Sequence, residues 1–309
     1  MHRFVPAVEF RRRAREAMKP VMSILVVVTL IAMLPNLVSS AISTITGSDP
    51  SAAMADLYTQ ERITAMMGAD AQAAAAASDE LLNGMLAFFA QKWPLIALTA
   101  AITLIFGPVL TLGFNHTLLK TLRREEITYT TVFARLPLFF KAVGLQLMIA
   151  LRVFLWMLPG WGVSLLGAVV MVFVPALGLL IMLAAMVLMI VLMVRAAYRY
   201  RLATYILADL PETGVNAAIR RSSEVMKGRK MELFSLEISF VGWHLLIYIL
   251  QTMLLALFGT VIGMALGMFA SFLLQMYMHM AIAAFYQEYA VGPLEPAKEE
   301  PSAEQEELN

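Results

Sequence analysis

Four polar residues sit inside otherwise apolar runs, and chemistry is sought there first. Glu237, His244 and Gln251 recur every seven residues, and Arg152 lies in a separate run. Seven residues is close to two helical turns, so the three line nearly one face, with Tyr248 beside them. With Leu233 taken as the membrane edge they fall about 6, 16 and 27 Å deep, and Arg152 about 20 Å deep. Ionisable groups at such depths are costly and mark function by default. The activity they suit is passage of a proton, ion or solute along a polar path. The plainer reading is interhelical hydrogen bonding, at about 0.6 kcal/mol each. Arg152 also has the option of snorkelling toward Trp156 and Trp161.

A membrane enzyme would need a convergent acid–base set, and Glu237, Asp209 and His279 are the residues from which one can be assembled. His116 and His279 read as hydrogen-bonded interface residues. The chain has no cysteine, which removes thiolate catalysis and cysteine metal sites. It shows no phosphate loop, dinucleotide fingerprint, zincin motif or nucleophile elbow. The expectation is a protein that is not an enzyme and has no cofactor.

The elements that must position these residues are membrane spans. Of 309 residues, 60% are apolar and 15% charged, and mean hydropathy is +0.75. Soluble domains carry about 45–50% apolar and about 25% charged residues. Apolar runs of this length match a hydrocarbon core of about 30 Å. The reading is an all-α polytopic helical membrane protein, with spans over 21–42, 94–119, 139–158, 173–195, 233–258 and 261–286. Residues 159–172 are apolar too, and form either part of a span or a re-entrant turn around "PGWG". Pro108 and Pro175 are expected to kink their spans. The first span is read as retained, because its apolar run exceeds the usual 7–15 residues of a signal peptide.

Lys and Arg set the orientation. They concentrate in the amino-terminal segment and in the connections after the second and fourth spans. The positive-inside rule then places both termini in the cytoplasm. The 43–92 connection is extracytoplasmic, mostly acidic, and expected to carry an amphipathic surface helix from Asp79. Residues 290–309 have the composition of a disordered acidic tail. Residues 1–289 form one integral membrane domain.

The basic segments echo each other. "RRRAREAMKP" (11–20) aligns with "IRRSSEVMKG" (219–228), pairing Arg12 and Arg13 with Arg220 and Arg221, and Lys19 with Lys227. Within 205–230, Thr213 suits an N-cap and Gly228 a helix stop. Val215, Ala218, Ile219, Ser222, Val225 and Met226 make one weakly apolar face. A helix of this kind lies in the headgroup plane, each basic residue there being worth about 1 kcal/mol against anionic lipid. "YTTVFARLPLFFKA" is a weaker third instance. The chain therefore reads as three units, each an interfacial amphipathic helix followed by a transmembrane hairpin. Arg12, Arg13, Arg220, Arg221 and Lys227 become candidate contacts for anionic headgroups or a partner, or else a topogenic anchor. Gly259, Gly263 and Gly267 form a small-xxx-small series for close helix packing, within the chain or in a homo-oligomer.

Several segments also resemble a known family. "YRYRLATYILADLP", "RRSSEVMKGRKMELFSLEISFVGWHLL" and "AAFYQEY" are similar to the signature of bacterial membrane proteins catalogued as domain of unknown function 975. "GPVLTLGF", "RREE…F" and "FLWMLPG" fit as well. The chain departs from many members in carrying a full apolar stretch after its Pro-Gly step, and Met276-Tyr277 where Pro-Tyr is frequent. The resemblance implies an integral membrane protein of bacteria, hence of the cytoplasmic (inner) membrane, and brings no activity. The expected role is a non-enzymatic scaffold or accessory component that contacts anionic lipid or a partner membrane protein. The alternative is a transporter or permease for a small solute, ion or lipid. Basic residues flank spans only, so no nucleic acid is expected.

Overall fold

The computed structural model describes residues 5–67 and 71–292. From residue 293 the expected acidic tail lies outside the described residues, as do Arg3 and Asp70. Among the described residues there is no strand, and six helices are long and apolar enough to cross a bilayer.

Helix α1 (Ala7–Met18) passes through one 3-10 turn at Pro20 into α2 (Met22–Thr46). Gly47, at φ +59°, ends α2 in the left-handed conformation, and Lys92 Nζ donates to the terminal Thr46 carbonyl at 2.8 Å. Two short helices, α3 (Pro50–Leu57) and α4 (Gln60–Met67), pack on the first turns of α5 (Ala71–Leu122). A 3-10 stretch, Tyr129–Leu138, opens on a capping box between Thr128 and Thr131. It leads to α6 (Phe139–Phe173), α7 (Pro175–Tyr200), α8 (Ala203–Asp209), α9 (Val215–Val225) and α10 (Lys230–Ile238). The last helical stretch, α11 (Val241–Tyr286), is two arms, 241–258 and 260–286, meeting at Gly259.

These helices form three antiparallel hairpins. In α2/α5, Ser39 Oγ donates to Thr99 O at 3.0 Å. In α6/α7, a Cβ built on Gly160, Gly167 or Gly178 would collide with Met189, Met182 or Met171 respectively. The members of each pair stand equally far from the Val174–Pro175 step, so glycine and methionine alternate as notch and filler down the seam. In α11, Gly263 faces Leu255 and Gly267 faces Gln251, again symmetric about the bend.

One open alternative is decided and three expectations need correction. The chain does not re-enter at "PGWG": α6 runs through Pro159 to Phe173 and turns at Val174. Pro175 starts α7 at its first turn, where a missing N–H costs nothing, and so produces no kink. The helix from Asp79 is not separate; it is the beginning of α5, which continues through Pro94. Gly214, rather than Thr213, is the N-cap of α9.

The fully buried residues gather at one end of the bundle. Phe10, Ala14 and Met18 of α1 pack there with Leu118 and Leu119 of α5, Leu145 of α6 and nearly all of α8. The residues from Met280 to Tyr286 fill the middle of this hub. Away from it, α6, α7 and the first arm of α11 are apolar and mostly exposed, packing chiefly within their own hairpins. The basic clusters of the sequence surround the hub, which makes this the basic end.

The hub also changes the reading of α9. Ala218, Ile219, Ser222 and Met226, four members of its expected apolar face, are buried against protein. The face that was expected to sit in lipid is occupied by the hub.

Candidate functional site

The hub is stitched by polar contacts around the end of α11. Arg123, just past α5, donates from Nη1 and Nη2 to the two carboxylate oxygens of Asp209 at 2.7 and 2.9 Å. That carboxylate raises Arg123 above arginine's already high value. Tyr286 donates its hydroxyl to the same Asp209 at 3.0 Å, and Arg123 Nε donates to Gln287 Oε1 at 3.0 Å. On the other flank Arg13 bridges Glu9 at 2.9 Å and the nearly buried Glu288 at 2.7 Å. Tyr289 donates to Glu232 at 2.5 Å, and the Arg229 guanidinium lies over the Tyr289 ring at 4.7 Å. Each carboxylate in this set has a cation or phenol on it, so the arrangement joins helix ends.

The expected intramembrane line does not assemble. The helix breaks at Ser239 and Phe240, between α10 and α11, so the seven-residue spacing does not keep one face. Glu237 points toward α7, accepting the Tyr198 hydroxyl and pairing with Arg201 at 3.3 Å. His244 Nδ1 lies 3.0 Å from the Phe240 carbonyl of its own helix. Gln251 packs where a Gly267 side chain would stand. Arg152 donates to Asn216 Oδ1 of α9 at 2.9 Å. The level of Arg152 changes as well. From Arg152 to Phe173 is about 32 Å of helix, and from Pro175 to Arg195 about 30 Å, each one hydrocarbon core. Residues 153–194 carry no charged side chain. Arg152 and Arg195 therefore bracket an uncharged stretch on the two arms of the hairpin, each arm long enough to cross a hydrocarbon core.

Asp209, Glu237 and His279 are likewise engaged apart. His279 sits edge-on to Phe114 at 5.6 Å with the Tyr205 hydroxyl 3.5 Å from its Nδ1, while the two carboxylates hold the partners described above. Among the proposed headgroup contacts, Arg12 pairs with Glu9 and Glu16, and Arg220 with Glu224 at 3.8 Å. Arg221 donates to the Ala290 carbonyl at 3.2 Å, and Arg13 belongs to the hub. Lys227 faces a groove.

That groove, about 1000 Å³, lies between α7, α9 and α10. Its α7 wall carries Val191, Arg195 and Arg199 at helical spacing, and its α10 wall carries Lys230 and Phe234. Tyr198 and Glu237 pin the two walls together, and Phe234 meets the Tyr198 ring at 6.1 Å. Arg195, Arg199 and Lys230 were missed as members of one site, because α7 and α10 lie apart in sequence. The i, i+4 series from Val191 to Arg199 is the signal that was legible.

A family model described as "Protein of unknown function (DUF975)" matches residues 4–290. No curated protein and no solved structure matches the chain. "YRYRLATYILADLP" supplies Tyr198, Arg199, Arg201 and Asp209, "RRSSEVMKGRKMELFSLE" supplies Arg229, Glu232 and Glu237, and "AAFYQEY" supplies Tyr286, Glu288 and Tyr289. The segments that build the hub and the groove thus lie inside the matched region, and the chain belongs to the DUF975 family of proteins of unknown function.

Proposed function

We propose that this protein is a non-enzymatic scaffold of the bacterial cytoplasmic membrane, with its hub and both termini on the cytoplasmic side and anionic lipid held at that face. The observation that carries this reading is the belt of cations at one membrane boundary. Arg195, Arg199, Lys227 and Lys230 stand there with no carboxylate in ion-pairing distance among the described residues. Cations beside a span favour the cytoplasmic, anionic leaflet. The hub's own carboxylates are committed to joining helix ends, which leaves the belt's charge to be met from outside the chain.

The test is the lipid retained by the full chain extracted from its own membrane. A retained population enriched in anionic lipid over the bulk supports the reading. A population matching the bulk counts against it. A purified chain that moves a lipid or solute across a vesicle bilayer would replace it with the transporter alternative.

A further inference from the structure

The groove between α7 and α10 grades from apolar to cationic along its α7 wall. On α7, Ile190, Val191 and Val194 give way to Arg195 and, one turn on, Arg199. On α10, Lys230 and Phe234 face the groove one turn apart, with Phe234 against the Tyr198 ring and Lys230 within electrostatic reach of Arg195 and Arg199. Lys227 closes the cationic end from the turn after α9. Five cations line the groove against one carboxylate, Glu224, which is already shared with Arg220. Arg199 is steadied by Ser223 at 3.2 Å and by the Trp156 ring at 5.9 Å, so its charge is placed but not neutralised.

A soluble anion would use the rim and leave the apolar walls empty. A neutral hydrocarbon would use the walls and leave the rim unpaired. A molecule that answers both is a phosphate diester on acyl chains, oriented as bilayer lipids are. Resting on the reading above and narrowing it, we infer that this groove is a binding site for one anionic phospholipid. The headgroup phosphate lies among Arg199, Lys227 and Lys230, and an acyl chain lies along Ile190, Val191 and Val194. The Tyr198–Glu237 contact is the brace that keeps the two walls at this separation.

The experiment is native mass spectrometry of the delipidated full chain, titrated with phosphatidylglycerol or with phosphatidylcholine of the same acyl chains. One phosphatidylglycerol is expected to bind about a hundredfold more tightly than phosphatidylcholine, since the three nearby basic residues contribute about fivefold each. Arg199→Gln/Lys227→Gln/Lys230→Gln should lose that preference. Val191→Trp, which fills the wall and keeps every cation, should lose the bound lipid itself. Glycerol 1-phosphate, which has the anion and no chain, should fail to compete at equal concentration.

If the triple variant and Val191→Trp both bind as the parent does, the groove is not the site. If the parent still prefers anionic lipid in that case, the scaffold reading survives without it. A parent with no preference between the two lipids overturns both. Competition by glycerol 1-phosphate would reassign the rim to a soluble phosphate ester. Should the triple variant fail to fold, Val191→Trp decides alone, because Val191 is exposed on α7 and holds no partner in the hub.

Discussion

Met189 lies directly over Gly160: a Cβ added to that glycine would come within 2.2 Å of the methionine Cγ. Two residues along the same helix, Gly162 would meet nothing within 4 Å. Gly160→Ala should therefore destabilise the hairpin, overpacking costing about 1–3 kcal/mol against about 1 kcal/mol gained in helix propensity. Gly162→Ala should be neutral or stabilise by up to about 1 kcal/mol. Sodium dodecyl sulfate titration, followed by tryptophan fluorescence from Trp156 and Trp161, compares the two. Equal effects would remove the notch-and-filler account of this seam.

Gly259 holds φ +76° and ψ 174°, a region open essentially to glycine alone, yet a Cβ there would touch nothing. Its substitution separates backbone strain from crowding. Gly259→Ala should cost about 1–3 kcal/mol with no steric cause. The same titration should show lower stability, and an unchanged midpoint would mean that the bend does not need this conformation.

Asp209 holds Arg123 by two hydrogen bonds and accepts a third from Tyr286. Asp209→Ala leaves a half-buried guanidinium and a buried phenol without their acceptor. A fully buried pair costs about 3–5 kcal/mol to break, and partial exposure should reduce this to about 2–3 kcal/mol. Glu224→Gln, at the exposed pair with Arg220, should cost under about 0.5 kcal/mol. Thermal unfolding in detergent ranks the two variants, and a reversed order would show that the hub is not where the stability resides.

The level of Arg152 is open to direct measurement because the chain contains no cysteine. Arg152→Cys should react with a charged, membrane-impermeant thiol reagent in sealed vesicles of suitable orientation. Leu165→Cys, near the middle of the same span, should not. Protection at both positions would return Arg152 to mid-membrane depth.

The residues that misled the sequence reading explain what composition can and cannot report. Residues 139–151 are as apolar as a span, yet Ala142 and Leu145 are buried among protein side chains. Hydropathy measures the wish to leave water and does not distinguish lipid from a protein interior. This is why hydropathy alone puts Arg152 deep in the third span. The six crossing helices were legible because their length is fixed by the bilayer. Gly263 and Gly267 are legible as close packing, which the structure assigns to the two arms of α11, whereas Gly259 makes the bend between them and packs against nothing. The groove as a whole was not legible, since its α7 and α10 walls are separated in the chain by α8 and α9. The seven-residue polar line was read across a helix break that two residues, Ser239 and Phe240, suffice to make.

The centre of the hub is the stretch from Met280 to Tyr286, close to the end of the matched region, while its outer shell begins with Phe10. Synthesis therefore delivers the shell first and the plug last. The first two hairpins can enter the membrane as each emerges, since their arms pack mainly on themselves. Until the final arm arrives, α1, α8 and the end of α5 present an uncovered apolar cup at the basic face. A chain cut short before residue 274 would carry that cup permanently, in the form that membrane quality control recognises and degrades.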